Sequence, residues 1–451
     1  MTVINWQWLI VILSSLVMYF ISPWAKSTDD FFKATKKNGQ QPKFAILTSS
    51  LVISWIFAKS IAVSASLGKD FGLVGGLAYA CYYLSFLVAG IVIYKMRTKG
   101  NWSSIHVFIR SKFGSNAVRL FSLLIAFRLF NEVWSNTIVV GSFFGENNTT
   151  SFTIAVIVFT LLTLAYVIKG GLRSSLLTDL IQMLLFGVLL IVIIGFLFPG
   201  LTGKMSSSDF TGEFTFSQGV NLMLVALLQI FSYPFHDPVM TDRGFVSDAK
   251  TTLKSFLWAG LIGFVCILLF SLVGVYGRIY QLDGDPVMSV SRTLGVPMML
   301  VMNFIMITSA TSTLDSTFTS FSKLWVVDIL RDSKITISKG RLAMVFITIF
   351  GTLPIFFGAD IISATTISGT MVIGLAPIFI FWQKDVPQIA FYLSVLSGIF
   401  FGVALLLKWF PESWFWTDGK YNDLLWVNAI GSFACFTLFL GSSSIYKWIK
   451  R

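Results

Sequence analysis

The sequence predicts an all-α polytopic membrane protein of about thirteen transmembrane helices, with two inverted five-helix repeats at its centre. Three observations predict it. The chain of 451 residues is 55% hydrophobic and only 12% charged, with a mean hydropathy of +0.80, a composition that soluble domains do not reach. About thirteen apolar runs are joined by loops too short to hold a second soluble domain. Two of those runs, five apart in order, are interrupted.

The first run, Asn5–Trp24, follows a start (MTVINWQWL) without a basic region or a small-residue cleavage site, so it reads as a retained span. Residues 1–43 then form an extra helix and a cytoplasmic loop. Residues 44–200 form the first repeat, 216–383 the second, and 384–451 two C-terminal helices. The second run, Phe44–Leu67, carries Thr48, Ser49, Ser50, Ser54 and Ser60. Hydroxyls at this density compete for backbone groups and loosen a helix. The seventh run, Phe216–Phe235, ends in FSYPFHDPV, where Pro234 and Pro238 each remove a backbone donor. Lys and Arg residues favour one set of loops by roughly four to one, which places the N-terminus outside and the C-terminus in the cytoplasm. The second run then enters from the cytoplasm and the seventh from outside. Two halves of opposite sense, each opening on a broken helix, are the signature of inverted-repeat secondary transporters.

The formal charge of +12 reports cytoplasmic loops rather than nucleic-acid binding. Cys81, Cys266 and Cys435 all lie in apolar runs and read as packing residues, not as a disulfide or metal framework. The expected surroundings are a plasma membrane, of the bacterial inner-membrane kind, with the lipid bilayer as a partner.

The ninth run, Pro297–Val327, contains the densest chemistry. Thr308 to Ser320 reads TSATSTLDSTFTS, with nine hydroxyls and one carboxylate. On a helix, Ser309, Ser312, Thr313, Ser316 and Ser320 share one stripe, with Asp315 at its edge. Hydroxyls and a carboxylate are hard ligands that suit a small hard cation. A polar seam between helices is the plainer reading of such residues, but a stripe this dense with an acid in it points to a site.

Four stretches carry a resemblance. DDFFKATKKNG (Asp29 to Gly39), YVIKGGLRSSLLTDLIQ (Tyr166 to Gln182), DPVMTDR (Asp237 to Arg243) and STLDS followed by DIL (Ser312 to Ser316, Asp328 to Leu330) occur in order along most of the chain. Together they resemble the sodium:solute symporter family, which includes sodium-coupled sugar, proline, pantothenate, sialic acid and urea transporters. The resemblance implies a leucine-transporter-like fold, sodium-driven import of a small polar solute, and no cofactor beyond the coupling ion. It also implies a main sodium site of Ser50 and Ile53 carbonyls, the Ser309 carbonyl, and the Ser312 and Thr313 hydroxyls. An unwound helix does free carbonyls, and hydroxyls can complete an oxygen shell.

Some members have a further sodium site at an acid of the sixth span. Here that acid is Asp179, facing Ser312, Asp315 and Ser316. Asp315 stands where such members carry a hydroxyl, so the place could take a second cation or a proton shared between close carboxylates. Asp179 could instead pair with Arg173 at a loop end.

The solute site is read from Ser54, Trp55, Phe57 and Lys59 of the second run, Asn131, Glu132 and Asn136 of the fourth, and Phe231, Ser232 and Tyr233 of the seventh. The amide and acidic groups of the family's sugar carriers are missing from the second run. Lys59 needs a partner at membrane depth, either Glu132 or a solute carboxylate. A proton-coupled carrier using Asp179 and Asp315 is the alternative within transport. A membrane acyltransferase would need a buried His with an acidic or amide partner, and the chain has only His106 and His236, so no enzyme activity is expected.

Overall fold

Every element among the described residues is helical, as befits a chain whose backbone polar groups must be satisfied within lipid. The computed structural model describes all residues except 1–2, 36–37, 148, 331–333, 358–367 and 450–451, and the side chains of 443 and 445–449. The loop charges expected at Lys36, Lys37, Arg331, Lys450 and Arg451, Asn148 of the outer loop, and the start of the eleventh span lie outside the described residues.

Among the described residues, ten helices are long and apolar enough to cross a membrane. The second and seventh spans are missing from that set because they are in pieces. Apolar Phe44–Ile53 and Val220–Gln229 are each only 10 residues long. One long segment, Ala58–Gly100, holds the end of the second span and the whole third, turned at Gly72 with φ 64°. The eleventh span is described only from Ser368 on. With these three spans counted, the helices match the thirteen expected runs.

The helices group into two units. The first comprises Met1–Ala80, Leu129–Glu213 and Ile262–Ala359. Within it the ninth span, Val296–Lys323, packs along the sixth, Leu172–Leu201, and the half-helix Phe44–Ile53 packs on the sixth as well. The fifth span, Thr150–Gly170, reverses into the sixth through one residue, Gly171 (φ 58°, ψ −134°). That conformation is open only to glycine, and a Cβ there would stand 2.6 Å from the Phe31 carbonyl oxygen. The ninth span widens into a π turn over Leu324–Ile329.

The second unit comprises Cys81–Arg128, Phe214–Leu261 and Asp360–Arg451. In it Ile389–Leu406 packs on Asn422–Ile449, which also supports Val220–Gln229. Aromatic rings fill its interior: Phe235 stacks on Phe379 at 4.0 Å, and Phe379 also meets Phe108 and Phe121. The helices Ser115–Gly141 and Ala249–Ile279 contribute residues to both units.

Candidate functional site

The second span stops being helical at Ser54 and resumes at Ala58. Its backbone shows how. The Ser54 N–H still reaches the Ser50 carbonyl, but those of Trp55 and Ile56 both reach Val52, and the next turn restarts on Phe57. The hydroxyls of Ser50 and Ser54 reach beyond their own helix. Both donate to Asp179 Oδ2, Ser54 at 3.3 Å. The break is therefore tied to a carboxylate on the sixth span.

Asp179 and Asp315 are both fully buried, and each is ringed by hydroxyls. Besides Ser50 and Ser54, Asp179 accepts from Ser312 on its Oδ1. Asp315 accepts from Tyr166 at 2.5 Å, Thr178 at 2.9 Å and Ser175 at 2.8 Å. Ser316 bridges the two groups, 2.8 Å from Ser54, 3.2 Å from Ser175 and 3.3 Å from Asp315. Four helical segments thus converge on one oxygen-rich cage: the second, fifth, sixth and ninth spans. Arg173 is elsewhere, bonded to Asp30 at 2.8 Å, so the loop-end pairing of Asp179 does not form.

The other expected sodium ligands lie one turn away. Ser309 Oγ donates to the Ile56 carbonyl, and Thr313 Oγ1 donates to the Ser309 carbonyl at 3.0 Å. Ser312, which the family resemblance assigns to the main site, points its hydroxyl at Asp179. Ser50 donates there too, with its carbonyl bonded to the Ser54 N–H. Ile53 ends the half-helix.

Of the residues expected to meet solute, Lys59 sits 2.9 Å from Glu132, and their side chains are only 3% and 5% exposed. Lys59 also reaches Ser135 at 3.2 Å and lies over the Phe57 ring at 4.9 Å. Asn136 donates to the Glu132 side chain at 3.1 Å. The Asn131 and Asn136 side-chain carbonyls, and both amide atoms of Asn303, are buried without a hydrogen-bond partner. Trp55 and Phe57 are buried with ring centroids 6.3 Å apart.

Phe231, Ser232 and Tyr233 belong to the second unit. There Phe231 is 40% exposed, Ser232 bonds the Gln229 carbonyl, and the Tyr233 hydroxyl accepts from Arg128 at 2.7 Å. Arg128 also pairs with Asp237 at 2.6 Å. Asp237 caps Pro238–Arg243, where a proline at the first turn needs no donor. His236 is buried at the end of the short turn Tyr233–Phe235, its ring 4.8 Å from that of Tyr233.

Sequence reasoning missed Tyr166, Ser175 and Thr178 as partners of Asp315. A signal was present: Ser175, Thr178, Asp179 and Gln182 follow the i, i+3, i+4, i+7 rule on the sixth span.

The likenesses to known proteins can be set on this geometry. Over 99% of its length the chain superposes on 98% of a Na+-coupled sialic acid symporter in a substrate-bound outward-open state, with a TM-score of 0.73 and 16% identity. The chain shares the fold of that symporter. A nucleobase-cation-symport-1 family transporter in a closed conformation is more distant, with a TM-score of 0.57 and 13% identity over 95% of this chain and 94% of that one. In sequence, the chain is 24% identical to "Probable urea active transporter 2" of Schizosaccharomyces pombe over 468 residues, covering 90% of this chain and 67% of that protein. No family model matches the chain. Each of these similar proteins is itself named as a transporter.

Proposed function

We propose that the protein is a sodium-coupled symporter that imports a small polar organic solute by alternating access. The observation that carries this reading is the buried cage in which Asp179, Asp315 and Ser316 meet hydroxyls from the broken second span and the ninth. Two carboxylates and a ring of hydroxyls are a donor set for a hard cation. Such a cation held between the second and ninth spans would clamp the break shut on one side of the cycle. Its loss to the cytoplasm would release the clamp. The main sodium site would use Ser50, Ile53, Ser309, Ser312 and Thr313, adjoining the cage. The membrane potential supplies work of about 2.3 kcal/mol per charge per 100 mV.

A polar solute is supported by the buried, unmet amide oxygens of Asn131, Asn136 and Asn303, since buried polar groups are otherwise paired. The fission-yeast relative is named for urea, so urea is the first solute to try. The N-terminus would face outside and the C-terminus the cytoplasm.

The test is uptake of labelled urea, proline and sialic acid into proteoliposomes under an inward sodium gradient. Ser312→Ala with Thr313→Ala should abolish sodium-dependent uptake while leaving expression intact. Unchanged uptake in that double variant removes the sodium assignment. Uptake that follows a proton gradient without sodium would make the proton the cargo of Asp179 and Asp315.

A further inference from the structure

Three buried side chains of the second unit and the half-buried Tyr82 form a hydrogen-bond chain with a fixed direction. Asn428, on the thirteenth span, donates from Nδ2 to the Leu424 carbonyl at 2.8 Å and to Thr370 Oγ1 at 3.0 Å. Its Oδ1 accepts from Gln229 Nε2 at 2.8 Å. Gln229 Oε1 in turn accepts from the Tyr82 hydroxyl at 3.1 Å.

The direction is set by chemistry. A backbone carbonyl can only accept, so Leu424 fixes which end of the Asn428 amide is the NH2. That leaves an oxygen facing Gln229, which must answer with its own NH2. The carbonyl of Gln229 is thereby turned to Tyr82. Gly369 closes the arrangement, because a Cβ there would stand 2.6 Å from Gln229 Oε1 and 3.1 Å from Nε2.

Gln229 is the last residue of the half-helix Val220–Gln229, where the seventh span breaks. Breaks of this kind are where transporters place their ligand sites. The thirteenth span lies outside the repeats expected from sequence, yet it holds the far end of the chain.

We propose that Asn428 is a positioning residue for transport. It orients the Gln229 amide at the break in the seventh span and so sets the solute affinity. The proposal rests on the transport reading above. A flipped Gln229 would exchange an acceptor for a donor at the break, which a purely structural role would not convert into a change of affinity.

The experiment measures initial uptake of labelled urea, proline and sialic acid in proteoliposomes, together with melting temperature. The variants are Asn428→Leu, Gln229→Leu, the double variant, and Phe433→Ala (75% exposed) as control. Asn428→Leu should lower the melting temperature, since it leaves the Gln229 N–H buried and unmet. It should raise the solute KM about tenfold, equivalent to about 1.4 kcal/mol. The double variant should regain melting temperature, because apolar groups replace both partners, while its KM stays raised. A double variant with wild-type KM makes the network purely structural and overturns the proposal. So does an Asn428→Leu protein with unchanged KM. A wild type that carries none of the three solutes refutes the transport reading and takes this inference with it, an outcome distinct from transport with unaltered KM.

Discussion

Lys59 and Asp315 pose the same problem, an ionisable group at membrane depth, and the chain answers it differently for each. Lys59 is met by Glu132 at 2.9 Å and by Ser135 at 3.2 Å, and Asn136 donates to Glu132. Asp315 is met by Tyr166, Ser175 and Thr178. The first arrangement pairs opposite charges; the second surrounds a carboxyl group with hydroxyl donors. Removing one partner of a buried pair strands the other. Lys59→Met should therefore cost about 3–5 kcal/mol of stability, read as a lowered melting temperature in detergent. Lys59→Met with Glu132→Leu should recover most of that loss. Recovery of stability without recovery of uptake would show that the pair also serves the solute. The sequence already offered Glu132 as one of two partners for Lys59, because an isolated ammonium in lipid is too costly to leave unmet.

The breaks and reversals of helices determine where the polar groups arrive. The second span breaks at Ser54 because two serine hydroxyls are drawn to Asp179 and the local backbone bonds double up on Val52. The expectation of a break was right in place, but it attributed the break to hydroxyls competing within their own helix. The actual partner lies 125 residues or more away in sequence, which no local pattern can name. The seventh span breaks where Pro234 and Pro238 forbid continuous bonding, and that was legible. Gly171 is a third such point: it swings the fifth span into the sixth and sets Asp179 two turns along. Gly171→Ala should lower stability by about 1–3 kcal/mol from backbone strain, and more if the Phe31 carbonyl at 2.6 Å cannot move. The check is a thermal melt beside Gly187→Ala, where nothing lies within 4 Å of the added carbon and no loss is expected.

For the molecule as a whole, the cation should act as a ligand that binds the folded state alone. Saturating sodium then stabilises by mass action, about 2.7 kcal/mol at a hundredfold excess over Kd. Melting the purified protein in sodium chloride against equal potassium or choline chloride should give a higher midpoint in sodium. A Ser312→Ala, Thr313→Ala protein should lose that increment. Equal midpoints in all three salts for the wild type would rule out a resident sodium site of useful affinity. The fold likeness to a Na+-coupled sialic acid symporter spans 99% of the chain at 16% identity, so architecture is shared over a range where side chains have diverged.

The sequence by itself determined the class of the protein, its span count, both helix breaks and the polar stripe of the ninth span. Each follows from local patterns: hydropathy over a span's length, proline's missing donor, and the helical period. Tertiary structure alone decided which hydroxyls meet which carboxylate. It turned Ser312 toward Asp179, sent Arg173 to Asp30, brought Tyr166 to Asp315, and linked Asn428 to Gln229 across 199 residues. The reason is physical. A hydroxyl or amide has several possible partners of similar strength, and only the packing of distant spans brings one of them within bonding distance.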